Sequence, residues 1–375
     1  VQLVFRNYNF RKYDFFIIII VIALVAIGIV AIGSATQINS NGNPLKWNKQ
    51  RIGFIVTFVM MIGISFIDYH FIGKFYWLIY AFNIILLLAV RFIGYDVNGA
   101  VRWINIGVSI QPSELSKIMM VIFLARIIDK NKHKINNLFF LIQLGILTLI
   151  PTFLIYKQPD LSTSLVIIVI LVIIVFAAGI NYKYIAAALL IAIPLLFVTI
   201  WYSQQPDQEI FETHQVNRIK SFMYPESEGV NLWQTNYSIQ ALGSGQLQGK
   251  GLYSGTINKF NYLPEPQTDF IFAIIGEEFG FIGCSVTLFV LLMLILRCLW
   301  IAKDAVDLYG MLVVVGFVAI IIFQTFVNVG VATGIIPNTG IPLPFISYGL
   351  SSLLTNMIGI GLVLNISVHR KTSYY

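Results

Sequence analysis

Charge is what this 375-residue chain has least of: 11% of its residues are charged, where a soluble domain carries about 25%. The deficit runs along the whole sequence, and 58% of the residues are hydrophobic. A water-soluble globule is excluded, and so is a solvated disordered chain. Cysteine is nearly absent too. The two present, Cys284 and Cys298, fall in one apolar run, so there is neither a disulfide framework nor a CxxC pair. The four histidines, His70, His133, His214 and His369, are scattered. That argues against a histidine metal centre, and no metal ligand is assigned. The run Gly243–Gly251, "GSGQLQGKG", lacks the GxxxxGKS/T spacing and follows no strand, which sets aside a nucleotide-phosphate loop.

What the chain does have is apolar runs of about 20 residues, long enough to cross a bilayer as helices. The first, "FFIIIIVIALVAIGIVAIG" at 15–33, is too long for a signal-peptide core. Nine more follow at about 51–67, 75–93, 112–128, 138–155, 163–180, 184–201, 270–297, 309–333 and 345–367. The expected fold is an all-α, polytopic integral membrane protein, one domain over 1–375, with a large extracellular loop at 202–269 between the seventh and eighth spans. Basic residues in short loops set orientation. One face carries Arg6, Arg11, Lys12, Lys74, Arg126, Lys130, Lys132, Lys134, Lys183, Arg297, Lys303, Arg370 and Lys371; the short loops of the other carry only Lys46, Lys49, Arg51, Arg91, Arg102 and Lys157. Both termini are therefore expected in the cytoplasm. The net charge of +7 follows from this bias and suits anionic membrane lipids rather than nucleic acid.

Polar chemistry gathers in the loops expected outside: 34–50, 94–111, 156–162, 202–269 and 334–344. A loop as long as 202–269 is usually functional or disordered, and Trp233, Tyr237, Ile239 and Leu242 predict short amphipathic helices at the interface. In "GAVRWINIGVSIQPSELSKI" (99–118), Pro112 suits the first turn of a helix, Glu114 lies in that turn, and Lys117 shares its face. The pair reads either as a packing ion pair or as the lining of a polar cavity. Arg102 beside Trp103 suits a phosphate and a sugar, or an interfacial anchor. Asp160 opens another span, as a cap or a ligand. Pro337, Pro342 and Pro344 forbid one helix through 328–352, so a broken or re-entrant segment is expected there. Asp269 ends the long loop just before Phe270, Ile271 and Phe272. Glu277 and Glu278 sit deeper and are assigned to structure or partner contact.

Five stretches together resemble the SEDS family, the RodA/FtsW proteins of bacterial cell-wall synthesis: "GAVRWINIG…QPSELSKI", "KQPDLSTSL", "IQALGSGQLQGKGLYSGT", "YLPEPQTDFIFAIIGEEFGFIG" and "PNTGIPLPFISYGLSS". The "GT…LPE…TDFIFA" segment is more similar to RodA than to FtsW. The resemblance implies ten spans in the bacterial cytoplasmic membrane, a site facing outside, and a peptidoglycan glycosyltransferase. Such an enzyme polymerises lipid II onto a nascent glycan strand, inverting the sugar and releasing undecaprenyl pyrophosphate. It also implies that Asp269 is the general base. The implied substrate-binding set is Arg102, Trp103, Glu114, Lys117, Asp160, Lys250 and Ser347, with Arg218 or Lys220 as further cations for the pyrophosphate. A class B penicillin-binding protein is the implied partner. A divalent cation, Mg or Mn, would ride on the pyrophosphate, although no ligand cluster in the sequence marks it. One departure stands out: Leu350 replaces the second glycine of the family's FISYGGSS, which is expected to alter the bend of the last outer loop. Two rival readings are a lipid II flippase, which needs polar residues through the full membrane depth, and a scaffold that only activates the transpeptidase.

Overall fold

The computed structural model describes residues 12–39, 45–97, 100–105, 107, 109–203, 205, 216, 233–260 and 262–370. In chain order the helices are α1 (Phe15–Asn39), α2 (Leu45–Ser65), α3 (Tyr69–Lys74), α4 (Tyr76–Ile93), α5 (Pro112–Lys130), α6 (Leu138–Tyr156), α7 (Leu161–Ala177), α8 (Tyr182–Ser203), α9 (Trp233–Ser244), α10 (Thr256–Lys259), α11 (Ile271–Lys303), α12 (Leu308–Ala332) and α13 (Leu350–Val368). Each expected span falls on one of them. Six, α1, α4, α6, α11, α12 and α13, are long and apolar enough to cross a bilayer, and α7 is a shorter apolar helix. Helix α5 departs from a plain apolar span because it carries Glu114, Lys117, Arg126, Asp129 and Lys130.

Burial sorts these helices into centre and rim. The apolar window of α13 is 89% buried and that of α12 67%, against 22% for α4. Peripheral helices turn large side chains outward, with Phe92 80% and Phe139 77% exposed, as lipid-facing surfaces do. Without a hydrophobic drive between helices in lipid, close packing through small residues matters most. Gly359 of α13 lies where a Cβ would overlap the Phe317 ring of α12, and a Cβ at Gly316 would meet Val121 of α5 at 2.9 Å. Leu350 is the first residue of α13, and its side chain fills the space that Gly53 of α2 leaves open. The departure from the family's glycine is therefore met by a glycine on the facing helix. It lies where the 333–349 segment joins α13.

At one end of the bundle the described ends of the chain meet. Lys12 Nζ donates to the Arg370 carbonyl at 2.6 Å, and Arg297 pairs with Asp14 at 2.8 Å. His70 lies between Asp68 (3.0 Å) and Asp307 (3.2 Å). The hydrogen bond to Asp307 is the main reason its pKa lies above the ordinary histidine value.

The opposite end holds the irregular structure. β1 (Gly94–Val97), β2 (Ala100–Asn105) and β3 (Ser109–Ile110) form an antiparallel sheet in that order, with Tyr95 opposite Trp103. This small sheet is an addition to the all-α expectation. Helix α11 is broken at Gly280, whose φ is +64°. A helix broken at membrane depth must satisfy its freed backbone groups from elsewhere, and residues 246–251 do so. Lys250 N–H and Gly251 N–H donate to the Glu277 and Glu278 carbonyls, each at 3.0 Å. The carbonyls of Gln246 and Leu247 accept from Phe281 N–H at 2.8 Å and Ile282 N–H at 3.2 Å. Glycine is required on both sides of this splice. Gly249 sits at φ +81° with its Cα against the Glu278 carbonyl, and a Cβ at Gly245 would overlap the Gly276 carbonyl. The run that superficially resembles a phosphate loop is thus the plug of a broken helix.

Candidate active site

Four helix N-termini converge at this irregular end, and side chains weld them together. Gln111 N–H donates to Ser351 Oγ at 2.9 Å, joining the starts of α5 and α13. Asp160 is the N-cap of α7 and accepts from Thr163 N–H at 3.1 Å through Oδ1. Its Oδ2 accepts from Gln111 Nε2 at 3.1 Å and Ser113 Oγ at 3.0 Å, joining α7 to α5. Ser162 Oγ donates to the Thr339 carbonyl, which brings the 333–349 segment onto α7. That segment is non-helical, as its prolines dictate, and it buries Ile341, Leu343, Phe345 and Ile346. Its Gly340, at φ +74°, lies beside Asp269, with Oδ2 3.6 Å from where a Cβ would stand.

Asp269 is half-buried and lies one residue outside α11, whose N-cap is Phe270. The turn leading into it is held by three consecutive carbonyls. Gln267 O accepts from Tyr348 N–H at 2.8 Å, Thr268 O from Ser347 Oγ at 2.7 Å, and Asp269 O from Asn328 Nδ2 at 3.0 Å. From α2, Gln50 accepts from Gly349 N–H at 3.3 Å and donates to the Ser347 carbonyl at 3.5 Å, bracing the same segment.

Other site residues named from the sequence are placed as follows. Glu114 and Lys117 form a 2.7 Å ion pair one turn into α5, with side chains only 7% and 1% exposed. Helix α5 and the helices α12 and α13 packed against it bury further polar groups, among them Ser116, Gln324, Thr355 and Asn356. Arg102, on β2, donates through Nε to the Gln158 carbonyl at 3.1 Å and through Nη2 to the Pro159 carbonyl, so it holds the turn before α7. Trp103 is half-buried in the sheet. The Lys250 ammonium pairs with Glu277 at 2.8 Å and contacts Thr256 Oγ1 at 2.6 Å, tying its loop to the broken helix. The Ser347 hydroxyl donates to Thr268 O and accepts from Leu343 N–H at 2.8 Å. Asp160 has both oxygens engaged, one capping α7 and the other accepting from α5 and the residue before it. Glu277 and Glu278 are structural: Glu277 Oε1 also accepts from Ile257 N–H at 2.9 Å, and Glu278 accepts from Ser34 Oγ. Arg218 and Lys220 lie outside the described residues. Helix α9 forms where aromatic residues predict one, but it buries Ser238 and Ala241, with Ser238 Oγ donating to the Ala332 carbonyl at 2.8 Å. Asn328 and Gln50 are absent from the sequence-based set. The usable signal for Asn328 was an amide inside an otherwise apolar span, a rare and costly placement.

A multi-pass helical membrane protein, with its polar residues gathered around helix N-termini at one end, is the class these features define. The family model described as cell cycle protein, covering FtsW, RodA and SpoVE, matches residues 14–372, and the chain belongs to that family, the SEDS proteins. It is 35% identical over 297 residues to the peptidoglycan glycosyltransferase MrdB of Escherichia coli, covering 78% of each chain. Among solved structures it is similar to a chain of a peptidoglycan synthase complex that coordinates polymerization and crosslinking, with TM-score 0.80 and 26% identity over 95% of this chain and 97% of that one. It is also similar to the rod shape determining protein RodA of Thermus thermophilus, with TM-score 0.70 and 26% identity over 96% and 98% of the two chains.

Proposed function

We propose that the chain is a peptidoglycan glycosyltransferase that polymerises lipid II at the outer face of the bacterial cytoplasmic membrane. Family membership supports the reaction class. The observation that carries the site is Asp269, a carboxylate held by three backbone clamps at the point where four helix N-termini meet. In the proposed reaction an acceptor-sugar hydroxyl attacks the anomeric carbon of the lipid-linked donor. The new C–O bond forms as the bond to the pyrophosphate oxygen breaks, inverting the centre, and Asp269 takes the hydroxyl proton. Helix N-termini favour anions, which suits the departing undecaprenyl pyrophosphate. Buried Lys117, paired with Glu114, lies in the first two turns of α5. Arg102 shapes the site by fixing the turn at 158–159, and Trp103 is the aromatic surface nearest to it in sequence. An apolar groove of about 270 Å³ between α11 and α12, lined by Leu288, Phe326, Val329 and Ile335 among others, has the chemistry of a lipid tail's seat. Among the described residues no group of three or more His, Cys, Asp or Glu side chains is placed to hold a metal ion. The similarity to a synthase complex supports a class B penicillin-binding protein as partner.

The purified chain in detergent, given lipid II, is expected to yield glycan polymer. A flippase or a scaffold would leave the lipid II unpolymerised, since transport has no meaning without a bilayer.

We also infer ten spans with both termini in the cytoplasm. The bias of basic residues supports this, as does the meeting of Lys12 with Arg370 at one end of the bundle. A reporter fused after Arg370 is expected to be cytoplasmic, and one inserted near Ser227, beyond the described residues, extracellular. A cytoplasmic signal from the 202–269 loop would overturn both the topology and the outward-facing site.

A further inference from the structure

We infer that Asn328 is a positioning residue for glycosyl transfer, setting the catalytic carboxylate and the wall opposite it with one side-chain amide. The inference rests on the reading of Asp269 as the base. Asn328 is wholly buried in α12. Its Nδ2 group has two hydrogens, and both are used: one on the Asp269 carbonyl at 3.0 Å, the other on the Ile341 carbonyl at 2.8 Å. Ile341 follows Gly340, the residue packed beside the Asp269 carboxylate. One rigid planar group therefore fixes the distance between the backbone bearing the base and the backbone facing it.

The geometry is selective for asparagine. Serine offers one hydrogen, and leucine, of similar size, offers none. Aspartate would set a carboxylate oxygen against two carbonyl oxygens. The carbonyls of Asp269 and Ile341 belong to non-helical stretches, so no helix ladder would take over if the amide were lost. Buried carbonyls without donors are costly, and the two strands would drift toward other partners. Displacing a reacting group by about 1 Å costs on the order of a hundredfold in rate.

The test uses full-length protein with its transpeptidase partner and lipid II. Asn328→Leu and Asn328→Ser are expected to lower kcat by about ten- to a hundredfold, Leu more than Ser, with KM for lipid II within about twofold and partner binding intact. Ser347→Ala, which removes the neighbouring clamp on Thr268 and the acceptor for Leu343 N–H, is a second variant with a smaller loss in kcat and the same unchanged KM. In an Asp269→Asn background, Asn328→Leu is expected to add nothing, because the group it positions is already disabled. Normal kcat in well-folded Asn328→Leu, or equal losses from Asn328→Leu with and without Asp269, would overturn the inference. Failure of the underlying reading looks different: Asp269→Asn alone would then polymerise normally, whatever Asn328 does.

Discussion

Asp269→Asn protein is expected to insert, fold and bind its transpeptidase partner while losing nearly all glycan synthesis. The substitution keeps size and shape but removes the negative charge and, with it, the ability to take a proton. Structural roles for the residue are separable from that. The N-cap of α11 is Phe270, not Asp269, and the Asp269 backbone is held through its carbonyl by Asn328, a contact that asparagine retains. A side chain serving as a local cap would in any case tolerate asparagine, which caps as well as aspartate. General-base catalysis typically contributes about 10²–10⁴-fold, so the residual rate should lie in that range below the parent. Polymer length after a fixed time, measured on protein normalised for amount, is the readout. The two acids deeper in α11 offer no substitute. Glu277 is wholly buried and paired with Lys250, and Glu278 accepts from Ser34. Near-parental synthesis by well-folded Asp269→Asn would remove this residue from proton transfer.

How far the site could be read in advance depended on the range of the forces that build it. Helices show in sequence because their apolar length is a local property, and every expected span landed on one. Asp269 was legible for the same reason: it stands at a sharp seam between a polar loop and an apolar run. Glu114 and Lys117 were legible as neighbours because three residues on a helix share a face. The splice at Gly280 was not, since it depends on 246–251 meeting α11 some thirty residues along the chain. The same is true of the sheet at 94–110. Its "VRWIN" run has strand-like residues, but only pairing with Gly94–Val97 fixes them. Lys250 and Ser347 came from the resemblance, and a motif marks a residue without saying whether it touches substrate, holds another segment, or does both. Asn328 was passed over because its partners are backbone carbonyls, which leave no trace in side-chain chemistry.

Removing either member of the Glu114–Lys117 pair is expected to cut the amount of folded protein sharply. The pair is 2.7 Å apart with side chains 7% and 1% exposed. An ion pair so placed gives little net stability, because desolvation offsets attraction, but breaking it leaves one charge buried alone at about 3–5 kcal/mol. Against a total stability of about 5–15 kcal/mol, that is enough to unfold much of the population. Glu114→Ala and Lys117→Ala should therefore both lower thermal stability in detergent and protein level in membranes. The double change Glu114→Gln with Lys117→Met should cost less than either alanine change, since no uncompensated charge remains. The exchange Glu114→Lys with Lys117→Glu separates structure from chemistry. It restores a pair on the same face, at a cost of about 0.3–1 kcal/mol for placing a cation at the start of a helix, so folded protein should return. Polymerisation measured on that folded protein assigns the role. Recovery along with the protein level would confine the pair to holding α5 in place. A stable but inactive exchange would show that the pair must present its charges from their own positions, as direct contact with substrate requires.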